Sequence, residues 1–162
     1  MDDVIVVGAG PAGNNAALCL SSQGYAVKVI DWRRNIGDKL CTGIVGKECT
    51  DRFPIDPALI YRDLRSAQVI APSNASLRFE TAEPQAQVID RVAYVASFAD
   101  RAQAAGAGYI LGQRVVQLVL ERQSITVVTE NDRYQARAVV LSAGFGSALT
   151  RQAALRQDLG ST

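Results

Sequence analysis

Apolar residues set the rhythm of this chain from its start. Asp3 to Val7 is an unbroken Val- and Ile-rich run, the pattern of a strand buried on both faces. Gly8, Gly10 and Gly13 follow, and then Ala12, Ala16 and Leu20 recur at helical spacing with Cys19 beside them. Gly24 marks the end of that helix, and Ala26 to Ile30 predicts a second buried strand closed by Asp31. A polar, Gly-containing loop through Thr50 comes next, followed by "FPIDPALIYRDL". The period then changes to two. The turn-rich "APSNAS" between alternating runs predicts an antiparallel hairpin, and "AQVID" predicts one more strand. A helix is expected from Arg91 to about Ala105, with Val92, Val95, Ala99 and Ala102 on one stripe. Gly106 and Gly108 stop it, and Tyr109 to Gly112 is the next parallel strand. "VVQLVLERQSITVVTENDRYQARAVVLSAG" predicts a three-stranded meander, turning at "ERQS" and "END", that leads into a last buried strand from Ala138 to Ser142.

Composition narrows the functions this pattern could serve. With 162 residues the chain holds one domain with a respectable core, 48% hydrophobic and 20% charged. A net charge of +1 argues against nucleic acid as a partner, since a nucleic-acid binder carries a basic excess. No apolar run approaches a membrane span and no signal-peptide pattern opens the chain. Three irregularly spaced cysteines make no disulfide framework, so a reducing, cytoplasmic setting is expected. The absence of histidine removes imidazole acid–base chemistry, the Ser-His-Asp triad and His-ligated zinc. Chemistry must come from a cofactor, from Cys, Lys or carboxylates, or from a part of the protein beyond these residues.

The glycines point to a dinucleotide. Gly8 allows a tight turn, Gly10 lets backbone approach a pyrophosphate, and Gly13 lets the helix sit close to the sheet. The pyrophosphate would meet the free N–H groups and positive end of the helix. Asp31, eighteen residues past Gly13, is spaced to accept from a ribose hydroxyl pair. Asn14, in the first helical turn, is either a phosphate donor or a polar cap. Trp32 and Arg33 either cover the adenosine or belong to the surface. A nicotinamide-binding domain should continue promptly to a crossover helix and a third parallel strand. Here that strand is delayed by antiparallel insertions, which suits a flavoprotein better. The expected fold class is therefore α/β, a Rossmann-like FAD-binding domain with a parallel sheet and inserted antiparallel strands.

Four stretches, "VGAGPAG", "IGDKLCTGIVG", "DRVAYVASFADRAQAAGA" and "VVLSAGFGS", give the chain a closer affinity. It resembles the FAD-dependent geranylgeranyl reductase family, within the para-hydroxybenzoate hydroxylase-like flavoproteins. The resemblance covers nearly all of the chain and implies roles residue by residue. Gly8, Gly10, Ala12 and Gly13 would hold the pyrophosphate and Asp31 the adenosine ribose. Arg91 would approach the phosphate and ribityl region, Val115 would meet the adenine, and Ala143 and Gly144 would pack near the pyrophosphate. The segment from Lys39 through Cys41 and Thr42 to Gly43 would pass under the flavin, with Cys41 facing the ring or the substrate as the candidate catalytic residue.

The "CTGIVGKEC" stretch could otherwise be a metal loop or a redox pair. Zinc needs four ligands, commonly in close pairs, and no histidine is available, so no metal is expected. The C-x7-C spacing matches no redox mechanism. Cys19 and Cys49 read as structural.

By the resemblance, reduced FAD delivers hydride to isoprenoid double bonds. The substrate would be an isoprenoid or lipid, and the electron donor a reduced nicotinamide or a ferredoxin-like protein. Peripheral membrane contact would follow from that substrate. Two alternatives stay open, a non-catalytic dinucleotide-binding fragment and an NAD-linked dehydrogenase domain. Ser142-Ala143-Gly144 departs from the Asp-Gly pair of many hydroxylase-type relatives, which counts against direct NADPH binding in that mode. Asp31 repels a 2′-phosphate, an effect that Arg33 and Arg34 soften. Residues 1–162 are expected to form one FAD-binding domain, the N-terminal part of a longer flavoprotein. The family's second FAD motif and substrate sheet do not occur in them, so these residues alone are expected to bind FAD weakly and not to turn over.

Overall fold

A strand whose residues are apolar on both sides needs cover on both faces, and β1 (Asp2–Val7) has it. In the computed structural model, which describes residues 1–144 and 147–152, Val4 and Val6 join one core cluster while Ile5 and Val7 join another. The first cluster adds Val27 and Val29 with Ala17 and Ala102 from two helices; the second adds Ile30, Val115, Val127, Ala136 and Leu149.

The chain forms two compact units. The first comprises residues 1–38 and the chain from Val95 on; the second comprises Lys39–Tyr94. In the first, β1 leads through α1 (Pro11–Ser21) to β2 (Val27–Asp31). The second holds β3 (Ile44–Gly46), α2 (Lys47–Arg52), a 3-10 turn at Pro57–Leu59, β4 (Ile60–Leu64), β5 (Ser66–Ile70), β6 (Ser76–Glu80) and β7 (Ala86–Ile89). The helix α3 (Arg91–Ala104) follows, and β8 (Gly108–Leu111), β9 (Val115–Leu120), β10 (Ile125–Thr129), β11 (Arg133–Leu141) and α4 (Ala148–Gln152) complete the first unit.

The six-stranded sheet runs β8-β2-β1-β11-β10-β9. Its first four strands are parallel, with Val7 opposite both Ile30 and Leu141, and Asp31 opposite Leu111. The chain therefore builds outward from β1 through β2 to β8, and later adds β11 on the other side of β1. That reversal makes a topological switch point, and open α/β sheets bind their ligands beyond the carboxyl ends of the strands at such a point. The glycine loop, Asp31, Gly112 and Ser142 all lie at that edge, each just past or at the end of its strand. The expected α/β, Rossmann-like fold is present. In the second unit β3-β7-β4 form one antiparallel sheet and β5-β6 a separate hairpin.

Four local expectations change. The meander's third strand and the last strand are one continuous β11, antiparallel to β10 at its start and parallel to β1 over most of its length. The segment through Thr50 is not all loop, because β3 pairs with the distant β7 and α2 follows it. Helix α1 buries Gly13, Asn14, Ala17 and Ser21 rather than the Ala12, Ala16, Leu20 stripe, since only a small-residue face can lie this close to the sheet. In α3 Val95, Ala99 and Ala102 are buried, joined by Tyr94 and Phe98, whereas Val92 is exposed. Phe145 and Gly146 of the "VVLSAGFGS" stretch and the end of the chain from residue 153 lie outside the described residues.

Candidate functional site

The glycine loop joins β1 to α1, and its three glycines are not equivalent. A Cβ on Gly8, whose φ is +109°, would lie 2.4 Å from the Ser142 carbonyl oxygen. A Cβ on Gly13 would lie 1.9 Å from the Gly8 carbonyl oxygen and 2.5 Å from Ser142 Oγ. Both positions are glycine because the protein itself leaves no room. Gly10 differs: its backbone is ordinary, with φ −80° and ψ −178°, and a Cβ there meets nothing within 4 Å. Its open side faces no atom of the described residues, as a loop shaped for the close approach of another molecule requires.

The N–H groups at this end of α1 match that opening. The helix begins without a side-chain cap, Pro11 occupies its first turn, and no acidic side chain lies there. The N–H groups of Gly10, Ala12 and Gly13 find no acceptor among the described residues. Uncapped N–H groups at the positive end of a helix favour an anion. The exposed Ala12 leaves that end clear of a large side chain.

Asp31 ends β2 with only 8% of its surface exposed. Its Oδ2 accepts the Ala9 N–H at 2.7 Å and its Oδ1 accepts the Arg33 N–H at 2.7 Å. A carboxylate has about four acceptor positions, so lone pairs remain for a ribose diol. Asp31 is thus a brace for the glycine loop as well as a ribose candidate. Beside it Trp32 is 51% exposed, and the guanidinium carbons of Arg33 and Arg114 lie 4.4 and 4.9 Å from its ring centroid. Arg114 was not legible as a site residue, because it reaches Trp32 only through the β2–β8 pairing.

Neither reading of Asn14 survives. The side chain is fully buried and caps nothing, and its Nδ2 donates to the carbonyls of Ala9 at 3.1 Å and Val95 at 3.4 Å. Its Oδ1 accepts from the Tyr109 hydroxyl at 3.1 Å. Both amide protons are used inside the protein, so none is left for a phosphate. Ser142 was also missed: its hydroxyl sits 2.9 Å from the Val7 carbonyl and 3.0 Å from that of Gly8. Ala143 lies against Gly8, while Gly144 has φ +83° and, among the described residues, nothing within 4 Å of where its Cβ would stand. The Val115 side chain is buried in the second core cluster, so only its main chain could meet an adenine.

The second unit gathers the other candidates. Arg91 donates to the Lys39 carbonyl. Gly43 is buried with φ +72°, its carbonyl accepts the Ile89 N–H, and a Cβ there would crowd the Ile89 oxygen at 2.9 Å. Thr42 Oγ1 accepts weakly from the Ile44 N–H. The exposed Cys41 thiol is held below its ordinary pKa, first by the Gly43 backbone N–H, then by the Arg91 charge and by Thr42. Donors and a cation favour the thiolate over the thiol. The pH midpoint of Cys41 alkylation is expected below the usual thiol value of about 8.5. It should rise in Arg91→Met; peptide-resolved iodoacetamide labelling that places it at or above that value contradicts the geometry. Among the described residues no three His, Cys, Asp or Glu side chains gather to hold a metal.

Comparison with known proteins bears on this arrangement. The family model for FAD dependent oxidoreductases matches residues 3–152. The digeranylgeranylglycerophospholipid reductase of Methanocella arvoryzae is 33% identical over 154 residues, covering 89% of this chain and 39% of that protein. The chain thus spans about two fifths of that relative's length. A geranylgeranyl bacteriochlorophyll reductase-like protein from Thermoplasma acidophilum superposes with a TM-score of 0.80 at 24% identity, covering 96% of this chain and 42% of that one. A variant of the halogenase PltM in complex with FAD gives 0.70 at 17% identity, with 98% and 37% coverage. At these identities both structures establish the fold alone. No described helix is long and apolar enough to cross a membrane.

Proposed function

Because this chain belongs to the FAD dependent oxidoreductase family, we propose that it is the dinucleotide-binding portion of a reductase that saturates the isoprenoid chains of membrane lipids. The observation that carries the reading is the open Gly10 beside uncapped helix N–H groups and the Asp31 carboxylate, in a chain 33% identical to a prenyl-lipid reductase. FAD, the family's cofactor, supplies hydride to an isoprenoid double bond once it is reduced and bound.

The chain's own residues bind and orient. Gly8 and Gly13 shape the loop, and the N–H groups of Gly10, Ala12 and Gly13 donate to the diphosphate. Asp31 accepts from the adenosine ribose. Trp32 and Arg33 flank the adenosine, Val115 offers its main chain to the adenine, and Ala143 and Gly144 line the diphosphate. Lys39, Cys41, Thr42, Gly43 and Arg91 serve the flavin and ribityl side, where the lowered Cys41 pKa suits a polar contact to the reacting region.

The test is a reductase assay on the complete protein with FAD, dithionite and a digeranylgeranyl lipid, read by mass spectrometry. Gain of two hydrogens per double bond, dependent on protein, supports the reading. Unchanged lipid in the presence of bound, reduced flavin overturns the substrate assignment.

A further inference from the structure

We propose that Asn14 and Tyr109 form a positioning pair that aims the Gly10 N–H at the bound anion, by holding the Ala9 carbonyl turned into the protein. The inference rests on the reading of this loop as a diphosphate site. A trans peptide is planar, and its C=O and N–H point in opposite directions. Fixing one pole of a peptide therefore fixes the other.

Two successive peptides of the glycine loop are held in this way. In the Gly8–Ala9 peptide the carbonyl lies 3.0 Å from Ser142 Oγ and the N–H donates to Asp31 Oδ2 at 2.7 Å. Both poles are consumed, so this peptide offers nothing to a ligand. In the Ala9–Gly10 peptide the carbonyl accepts from Asn14 Nδ2 at 3.1 Å, and the Gly10 N–H finds no acceptor among the described residues. The pole left over points away from the buried amide, on the residue whose missing side chain leaves open space. Were this peptide to flip, a carbonyl oxygen would replace the N–H and repel the diphosphate.

Asn14 can act this way because it is itself fixed. Its second amide proton goes to the Val95 carbonyl at 3.4 Å, and the Tyr109 hydroxyl donates to Oδ1 at 3.1 Å, which sets the orientation of the amide. Burial, together with the nearby Asp100 charge, pushes the Tyr109 pKa up to about 12, so the hydroxyl remains a donor under all ordinary conditions. A fully buried amide is costly unless its bonds are made. An apolar residue would fill the volume, but it would leave the Ala9 carbonyl without a partner.

The experiment measures FAD dissociation constants, apoprotein melting and the Gly10 amide NMR resonance in parent, Tyr109→Phe, Asn14→Ala and Asn14→Asp proteins. Tyr109→Phe should weaken FAD binding about three- to tenfold, the range set by one neutral hydrogen bond. Asn14→Asp should weaken it more, since a carboxylate facing two carbonyls turns away. The Tyr109→Phe, Asn14→Ala double variant should bind no more weakly than Asn14→Ala alone, because the two act through one bond chain. The Gly10 resonance should shift in Tyr109→Phe apoprotein before any FAD is added. Val127→Ala, at a fully buried core position outside the loop, should lower melting yet keep the parent FAD affinity. If parent and Tyr109→Phe bind FAD equally, or the Gly10 resonance stays in place, the pair does not position the loop. A parent that fails to bind FAD would instead overturn the diphosphate reading, and the apoprotein resonance would still decide whether the pair aims the N–H.

Discussion

Gly13→Ala should lower the stability of the apoprotein by about 3 kcal/mol, at the upper end of what overpacking costs. For a chain of this size that is a fall of roughly 6–12 °C in melting temperature. The added methyl would stand 1.9 Å from the Gly8 carbonyl oxygen and 2.5 Å from Ser142 Oγ. The hydroxyl could rotate away, but the carbonyl is backbone and is already fixed between β1 and α1. Relief therefore requires α1 to move off the sheet, taking Ala17 out of the core cluster it shares with Val4, Val6 and Val29. FAD affinity should fall as well, because the helix N-terminus moves with the helix. Thermal melting without ligand checks the first effect, and a parent-like transition would show that the helix does not approach the strand this closely.

Gly10→Val should do the reverse, leaving the fold intact while removing the ligand. Any residue adopts φ −80° and ψ −178°, and a Cβ there meets no atom of the described residues within 4 Å. Replacing glycine also lowers the entropy of the unfolded chain, so melting should stay level or rise slightly. The valine would occupy the space through which a diphosphate reaches the N–H groups of Gly10, Ala12 and Gly13. Hydrogen bonds to a charged group contribute about 1.5–3 kcal/mol each. Losing two of them raises the FAD dissociation constant by at least about a hundredfold. Calorimetric titration checks it. Parent-like affinity in a folded Gly10→Val protein would place the diphosphate elsewhere.

The contrast between these glycines shows what could be read before the structure. The motif and its flanking strands were legible because they are local: a Val-rich run, three glycines and an acid follow one another within one β-α-β unit. The late helix and the strand from Tyr109 were legible for the same reason. Which glycine serves the protein and which the ligand was not, since that depends on Ser142, brought beside Gly8 only by the register of β11 on β1. The buried face of α1 was missed because it consists of Gly13, Asn14, Ala17 and Ser21, residues that no hydrophobic pattern selects. Strand β3 escaped because its partner β7 lies some forty residues further along. Asn14 read as a phosphate donor or a polar cap at a helix start, and only Tyr109, from a strand nearly a hundred residues away, shows that it faces inward.

The glycine loop and Asp31 are expected to recognise the adenosine diphosphate half of FAD. Calorimetric titration of the protein with FAD, ADP and FMN side by side tests it most directly. FMN carries the same flavin and its phosphate but lacks the adenosine and its phosphate. Saturable binding of FAD, competition by ADP and at least tenfold weaker binding of FMN are the expected results. FMN binding as tightly as FAD, or FAD binding that ADP does not displace, would contradict it.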